Sequence, residues 1–256
     1  MKPRIKVAKT QAPHSAQPEG AIYEEITLAE QAHRALRRDI IAGRFPAGQA
    51  LRLAQLKNCY GISYSPLREA LNRLLSEQLV VSTTSRGFRV APFSEEQMWD
   101  VIETRIVIEC EALRRSLVKG DDQWEAQVVS AYHALALATR RYYAADEQEG
   151  HSDAEAQFEQ RHYEFHRSLI AACGSGWLLS FAEQLYAQSE RYRQPALRDG
   201  RYWQVGRDVL AEHRQLMDAA VARDAGLAAG LLARHYRDTG RVVKQLLGLS
   251  QQTQSS

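Results

Sequence analysis

The sequence predicts a mostly α-helical protein, with an N-terminal winged helix-turn-helix followed by an antiparallel bundle of six to seven helices. Two observations support this prediction. Apolar residues recur at helical spacing from residue 28 almost to the end of the chain. The spacing changes to short β-branched stretches only once, between residues 79 and 90, directly after three short helical segments.

Length and composition indicate an ordinary globular protein. The chain has 256 residues, 45% of them hydrophobic and 25% charged, which is enough for one large domain or two ordinary ones. It contains no run of about 18 apolar residues, so we expect no membrane span. The basic N-terminus is followed by no apolar segment, which argues against a secretory signal. Three scattered cysteines fit reduced thiols in the cytoplasm.

Local signals divide the chain into four parts. Residues 1–25 contain three prolines and no periodicity, so we expect a disordered basic arm. Capping boxes at Thr27–Glu30 and Ser94–Gln97 mark the starts of two helical regions. We therefore expect a winged helix-turn-helix domain over residues 26–92, an all-helical domain over 93–248 and a disordered tail over 249–256.

The third helix, which starts near Ser65, has the pattern of a DNA recognition helix. Leu67, Leu71 and Leu74 form one apolar stripe, Ser65 is placed to cap the helix, and Pro66 suits its first turn. Hydroxyl groups and arginines crowd the N-terminal tip, and such groups contact phosphates and guanine in a major groove. Taken alone, the helix also fits an ordinary surface helix.

Two neighbouring features favour DNA binding over that simpler interpretation. Residues 79–81 and 88–90 predict two short strands joined by a turn that contains Arg86 and Gly87, which is a wing. Residues 1–92 carry 14 Lys and Arg against 7 Asp and Glu, whereas the remaining residues carry 19 against 24. The predicted DNA contacts are Arg52, Ser63, Tyr64, Ser65, Pro66, Arg68, Arg73, Arg86 and Gly87.

Four histidines of the second domain are spaced so that they could converge. His162 and His166 are one helical turn apart. His213 and His235 lie at nearly equal distances from a predicted helical turn near Arg223, so an antiparallel hairpin would bring them to one level. Neutral imidazoles bind divalent metals such as zinc or nickel, so the sequence predicts a metal site here. Chance spacing of surface histidines remains the alternative.

Other polar residues are candidates for a ligand pocket. Arg105 could point inward and hold a carboxylate ligand by its guanidinium fork, or it could form an exposed ion pair with Glu109. No phosphate loop, nucleophile elbow or His-Glu-x-x-His sequence is present, so we expect no enzyme. The candidate effector-binding residues are Arg105, Glu109, Tyr142, Tyr192 and Arg193.

These residues resemble the GntR family of bacterial transcription regulators, in its FadR-like branch. The resemblance rests on residues that are similar to the family's helix-turn-helix and wing: Leu51-Arg52, Leu56, Gly61–Ser63, Ser65–Leu71 and Arg86–Val90. The helical remainder is similar to the family's effector-binding FCD domain. Residues around His162, His166 and Cys173 narrow the resemblance to repressors of glutarate and 4-aminobutyrate catabolism, the CsiR/GlaR type.

The resemblance implies a homodimer that binds an operator with inverted repeats and is released by a small carboxylate, either glutarate-like or a hydroxy acid. Two departures stand out. His162 occupies a position where many members have aspartate, and Tyr64 one where many have arginine. A metal-dependent enzyme with a nucleic-acid-binding module and a DNA-binding protein without ligand control remain the alternatives.

Overall fold

The computed structural model describes residues 27–83, 87–92, 94–144, 151–197 and 206–248. The predicted arm and tail, Arg86 of the predicted wing and the helix break expected near residues 199–200 lie outside these ranges. Within them the protein is mostly helical, as predicted, with one two-stranded antiparallel sheet. None of the described helices is long and apolar enough to cross a bilayer.

Among the described residues up to 92, three helices and a hairpin form the first unit. The helices are α1 (Leu28–Ile41), α2 (Leu53–Tyr60) and α3 (Tyr64–Ser76), and the strands are β1 (Val80–Ser82) and β2 (Phe88–Val90). The strands pair antiparallel with Val80 opposite Val90. Gly61 ends α2 with a φ of 68°, a left-handed conformation that glycine adopts without strain, and this allows the sharp turn into α3.

The leucine stripe of α3 is buried as the sequence predicts. Leu67, Leu71 and Leu74 are fully buried and pack with Leu36 of α1 in one hydrophobic core. The predicted cap of this helix is wrong by two residues. Ser63, with extended backbone angles, is the N-cap residue and makes no side-chain cap hydrogen bond, so Ser65 lies inside the first turn.

In the described part of residues 94–248, six helices form the second unit, and α4 lies at its centre. Helix α4 packs against α6, α7 and α9, while α5 packs against α6 and α8. The predicted breaks near residues 120–122, 174–176 and 223–224 are confirmed. The helices are α4 (Glu95–Lys119), α5 (Asp122–Ala144), α6 (His151–Ile170), α7 (Gly176–Leu197), α8 (Val209–Val221) and α9 (Ala225–Leu247).

The two units have separate hydrophobic cores and meet mainly along α1 and α7. The contacts that join them include polar ones. The Gln188 side chain of α7 donates a hydrogen bond to the backbone carbonyl of Glu77, at the end of α3. Arg191, one turn later on α7, donates to the carbonyl of Ala91, just after the hairpin. Helix α7 therefore bonds the first unit just before β1 and just after β2, at the open end of the hairpin.

Candidate functional site

The N-terminal tip of α3 is exposed and rich in polar groups. Ser63, Tyr64 and Ser65 are all exposed, and the Tyr64 side chain retains 49% of its accessible surface. The Nζ atom of Lys57 lies 5.1 Å from the centre of the Tyr64 ring, which is a cation–π contact. Arg68 is exposed and forms no ion pair with any residue that the structure describes. This tip presents hydroxyls and one unpaired cation outward.

Two further predicted DNA contacts lie at a groove between α2 and the hairpin. Arg52 and Gly87 line this groove, which has a volume of about 210 Å³. Arg89, which was not among the predicted contacts, lines it as well and donates a hydrogen bond to the Gly48 carbonyl. Arg73 lies at the far end of α3, where its guanidinium is bound by Glu30 and by Glu69. Arg73 is therefore less available to a phosphate than Arg68.

In the helical unit, all four predicted histidines come together. Each is at most 6% exposed, and their ligand-capable nitrogen atoms lie within 4.8 Å of one another. The rings of His213 and His235 are 4.6 Å apart, as the symmetric hairpin predicts, and those of His162 and His166 are 4.5 Å apart. We call these four residues the histidine cluster.

Hydrogen-bond partners assign the protons of two cluster histidines. The Nδ1 atom of His213 lies 2.7 Å from the Val209 carbonyl, which can only accept, so Nδ1 carries the proton. The Nδ1 atom of His235 lies 2.9 Å from a carboxylate oxygen of Glu212, which requires the same arrangement. Arg207 also lies 3.2 Å from that Nδ1, but its hydrogens have better acceptors in Glu212 and the His235 carbonyl.

A longer hydrogen-bond chain assigns the proton of His166. Its Nδ1 lies 3.2 Å from the hydroxyl of Tyr236, and that hydroxyl donates its only hydrogen to Glu109 at 2.5 Å. The tyrosine oxygen must therefore accept from Nδ1 of His166, which leaves Nε2 as a lone pair.

Lone pairs thus face one another inside the cluster. The Nε2 atoms of His166 and His213 are 3.2 Å apart, and neither carries a hydrogen in this assignment. The Nδ1 atom of His162 is buried and has no hydrogen-bond partner. Unshared lone pairs this close repel, and a cation between them relieves the repulsion. The donor set therefore fits a metal ion that prefers imidazole.

Burial keeps these imidazoles neutral, which metal binding requires. Desolvation, followed by repulsion from Arg193 and the other histidines, holds the pKa of His162 well below its usual range. Desolvation likewise lowers the pKa of His166 and His235, with repulsion from neighbouring histidines adding to it. For His213 desolvation lowers the pKa to about 4, although the bond to Val209 opposes the shift.

Arg105 points inward beside the cluster, as the first of the two expectations has it. It also pairs with Glu109, but this ion pair is buried rather than exposed. Its Nε donates to Glu109 at 2.7 Å, and its terminal nitrogens donate to Ser189 and Tyr236. Arg193 is also buried and binds Glu159 through both terminal nitrogens. These arginines are held by protein groups on several helices.

A small cavity lies next to these arginines. It has a volume of about 30 Å³, roughly the space of one water molecule, and Arg105, Tyr192 and Arg193 are among its lining residues. Tyr142 is buried away from this cavity and packs on Phe158, which in turn contacts His162. The structure thus brings together all the predicted effector residues except Tyr142.

Several buried or half-buried polar residues around the cluster were not predicted, among them Glu212, Arg207 and Tyr236. Glu212 and Arg207 bind His235, and Tyr236 links His166 to Glu109 and Arg105. Glu212 and Tyr236 are sequence neighbours of His213 and His235, so the histidine spacing could have identified them. Arg207 lies before the start of α8, and no helical spacing indicates its contacts.

Comparison with known proteins identifies the chain. The profile of bacterial regulatory proteins of the gntR family matches residues 28–90, and the FCD domain profile matches residues 100–238. The chain belongs to the GntR family of bacterial transcription regulators. The expectation drawn from the helix-turn-helix and wing is confirmed at this level: this GntR regulator is a DNA-binding protein.

Curated relatives support the same assignment along most of the chain. The regulator is 41% identical to the HTH-type transcriptional regulator BphR of Paraburkholderia xenovorans (strain LB400), over 86% of each chain. It is 32% identical to the HTH-type transcriptional repressor GlaR of Escherichia coli (strain K12), over 84% of this chain and 95% of that one.

Solved structures share the fold at lower sequence identity. E. coli McbR/YncC gives a TM-score of 0.70 at 20% identity, covering 86% of this chain and 98% of that one. A GntR regulator from Rhodococcus sp. RHA1 gives 0.65 at 22% identity, covering 87% and 99%.

The lowered pKa values of the cluster predict an acid-sensitive fold. Below about pH 6.5 these histidines bind protons in the unfolded chain, whereas in the folded protein they stay neutral. The free energy of unfolding of the metal-free protein should therefore fall from pH 7.5 to pH 5. His162→Leu removes one such group and should reduce this loss by up to about 2 kcal/mol, as measured by urea unfolding in chelator. The exposed residue His133 gives a control, because His133→Gln should leave the loss unchanged. Equal losses in wild type and His162→Leu would contradict the assignment.

Proposed function

We propose that this regulator is a repressor that binds an inverted-repeat operator as a homodimer and is released from it by a small carboxylate. In this proposal residues 26–92 form the DNA-binding domain and residues 93–248 the effector domain, flanked by the arm and the tail. The convergence of four buried imidazoles in the effector domain is the observation that carries the proposal. The protein would act in the cytoplasm, at the nucleoid.

The exposed tip of α3 supports its role as the recognition element. Ser63, Ser65 and Pro66 would lie against the phosphates, with Arg68 and Tyr64 at the base edges. Because Tyr64 replaces a common arginine, the preferred operator would differ from those of arginine-bearing relatives. Arg52, Arg89 and the wing turn with Arg86 and Gly87 would contact the flanking backbone.

Removing the unpaired cation of α3 should weaken operator binding. Arg68→Ala is expected to raise the dissociation constant at least tenfold, because a base or phosphate contact is lost while no intramolecular ion pair is broken. The measurement is fluorescence anisotropy at fixed salt, using DNA selected from a random pool by the wild-type protein. Arg115→Ala, at an exposed position on α4, should bind like wild type. Unchanged binding by Arg68→Ala would refute the assignment.

The histidine cluster supports binding of a divalent metal such as zinc or nickel. Four neutral imidazoles would be supplied by His162, His166, His213 and His235, and the bound ion would provide a positive centre for an anionic ligand. Since His162 replaces the aspartate of many relatives, these four ligands would neutralise none of the metal's charge. A centre with this charge would favour dicarboxylates or hydroxycarboxylates.

The metal content of the purified protein tests whether the histidine cluster binds a divalent metal. The purified full-length protein is expected to hold about one zinc or nickel ion per chain by elemental analysis after dialysis against that metal. His213→Ala should lose most of it, because one of the converging lone pairs is removed. His133→Ala, at an exposed position, should retain wild-type content. Negligible metal in the wild-type protein would exclude the metal centre.

The geometry beside the cluster supports effector control rather than passive binding. The 30 Å³ cavity beside Arg105 is too small for a dicarboxylate, so entry of one would require the surrounding helices to move. Helix α7 lines this cavity through Ser189 and bonds the DNA-binding unit through Gln188 and Arg191. A ligand that favours one position of α7 would thereby change the arrangement of the winged helices.

A thermal-shift screen tests the effector. With zinc present, glutarate or a related hydroxy acid is expected to raise the melting temperature by several degrees at 100 times its dissociation constant. The corresponding uncharged diamide should produce no shift, because it lacks the carboxylates that the cationic site selects. A complete panel of dicarboxylates and hydroxycarboxylates without any shift would favour a DNA-binding protein without ligand control.

Exposed apolar side chains on α4 and α7 support the homodimer. Trp177 and Phe181 stack at 5.9 Å and are 76% and 43% exposed, and Val107 and Val118 are 68% and 84% exposed. Burial of these side chains against a second copy would be favourable. We expect light scattering to give twice the chain mass for wild type and a lower mass for Trp177→Glu. A wild-type monomer at micromolar concentration would argue against the dimer.

A further inference from the structure

Beyond the four histidines, a carboxylate–guanidinium pair contacts the cluster from outside. Glu212, at the start of α8, accepts a hydrogen bond from Nδ1 of His235 at 2.9 Å. Arg207, just before α8, binds both carboxylate oxygens of Glu212 at 2.6 Å. The same guanidinium donates to the His235 carbonyl and to the Thr239 hydroxyl, both at 2.9 Å, so it also fixes one turn of α9.

We propose that Glu212, held by Arg207, is a positioning residue of the metal centre: it keeps the His235 proton on Nδ1 so that Nε2 faces the other three histidines. This inference rests on the proposed metal function. Glu212 does not itself bind the metal, because Arg207 occupies both of its oxygens while one of them also accepts from His235.

The numbers of donors and acceptors on His235, Glu212 and Arg207 support this positioning role. A neutral imidazole has one N–H, and a carboxylate partner fixes that proton on the nitrogen it contacts. If Glu212 were absent, Arg207 would be left to donate to Nδ1, only 3.2 Å from its Nη2, and the proton would move to Nε2. Nε2 would then be a donor inside the cluster and could not bind a cation.

The carboxylates around the cluster provide a second argument for the positioning role of Glu212. Relatives with an aspartate at the position of His162 would place a negative charge directly on the metal. In this chain the carboxylates nearest the cluster each act through another residue. Glu212 acts through His235, and Glu109 acts through Tyr236 on His166. A carboxylate hydrogen-bonded to a ligand imidazole orients that ring and fixes its proton. Arg207 and Arg105 balance the charges of Glu212 and Glu109, so these carboxylates act by fixing protons rather than by neutralising the metal.

The test compares Glu212→Gln with wild type in the full-length protein, using Zn²⁺ and Co²⁺ as probes. Glutamine keeps the shape but loses the charge, so its zinc dissociation constant, measured by chelator competition, should rise 10- to 100-fold. The visible absorption of the Co²⁺ form should change in intensity, because His235 is no longer held in place. Asp218→Asn removes an exposed carboxylate from the same helix and should match wild type in both measurements.

The outcomes separate the two proposals. Zinc affinity of Glu212→Gln within twofold of wild type, with the same Co²⁺ spectrum, would overturn the positioning role and leave the metal centre standing. No zinc or cobalt binding by wild type would refute the metal centre and this inference with it. Long-range ¹H–¹⁵N correlation spectra of the metal-free wild type need no variant: they should show the His235 proton on Nδ1, and a proton on Nε2 would overturn the inference.

Discussion

Mutual repulsion among four buried, neutral imidazoles is the constraint on which the helical domain depends. Their nitrogens converge within 4.8 Å, and the partners of His166, His213 and His235 place each proton on the outward Nδ1. The inward nitrogens are therefore lone pairs with no hydrogen to share. A cation would satisfy them, so the packing of the three helices that carry the histidines and the proposed ligand chemistry depend on the same arrangement.

The polar shell around this cluster also connects it to the DNA-binding domain. Arg105 joins α4, α7 and α9 through Glu109, Ser189 and Tyr236, so these helices meet at one buried guanidinium. On the opposite side of α7, Gln188 and Arg191 bind backbone carbonyls beside the hairpin. A small shift of α7 near the cluster would therefore move the contacts that orient α3. The proposed ligand control requires α7 to have two such positions, of which the effector favours one.

Sequence reasoning succeeded where one helix fixes the geometry. The leucine stripe of α3 and the equal distances of His213 and His235 from their turn follow from 3.6 residues per turn and 1.5 Å per residue. Sequence reasoning was less successful for features that depend on how separate elements pack together. The i, i+4 spacing of Arg105 and Glu109 predicts their pairing but not their burial. The contact of Arg207 with Glu212 depends on how an irregular segment meets α9, and the choice of Ser63 over Ser65 as cap depends on the backbone angles of one residue.

The proposed function requires that ligand binding in the histidine cluster and operator binding by α3 are energetically coupled. The most direct test is the affinity of the zinc-loaded protein for its carboxylate effector, measured by calorimetry with and without saturating operator DNA. Coupling predicts that the operator weakens effector binding by the same factor by which the effector weakens operator binding, about 5- to 150-fold. Equal effector affinity in the free and DNA-bound protein would contradict the account.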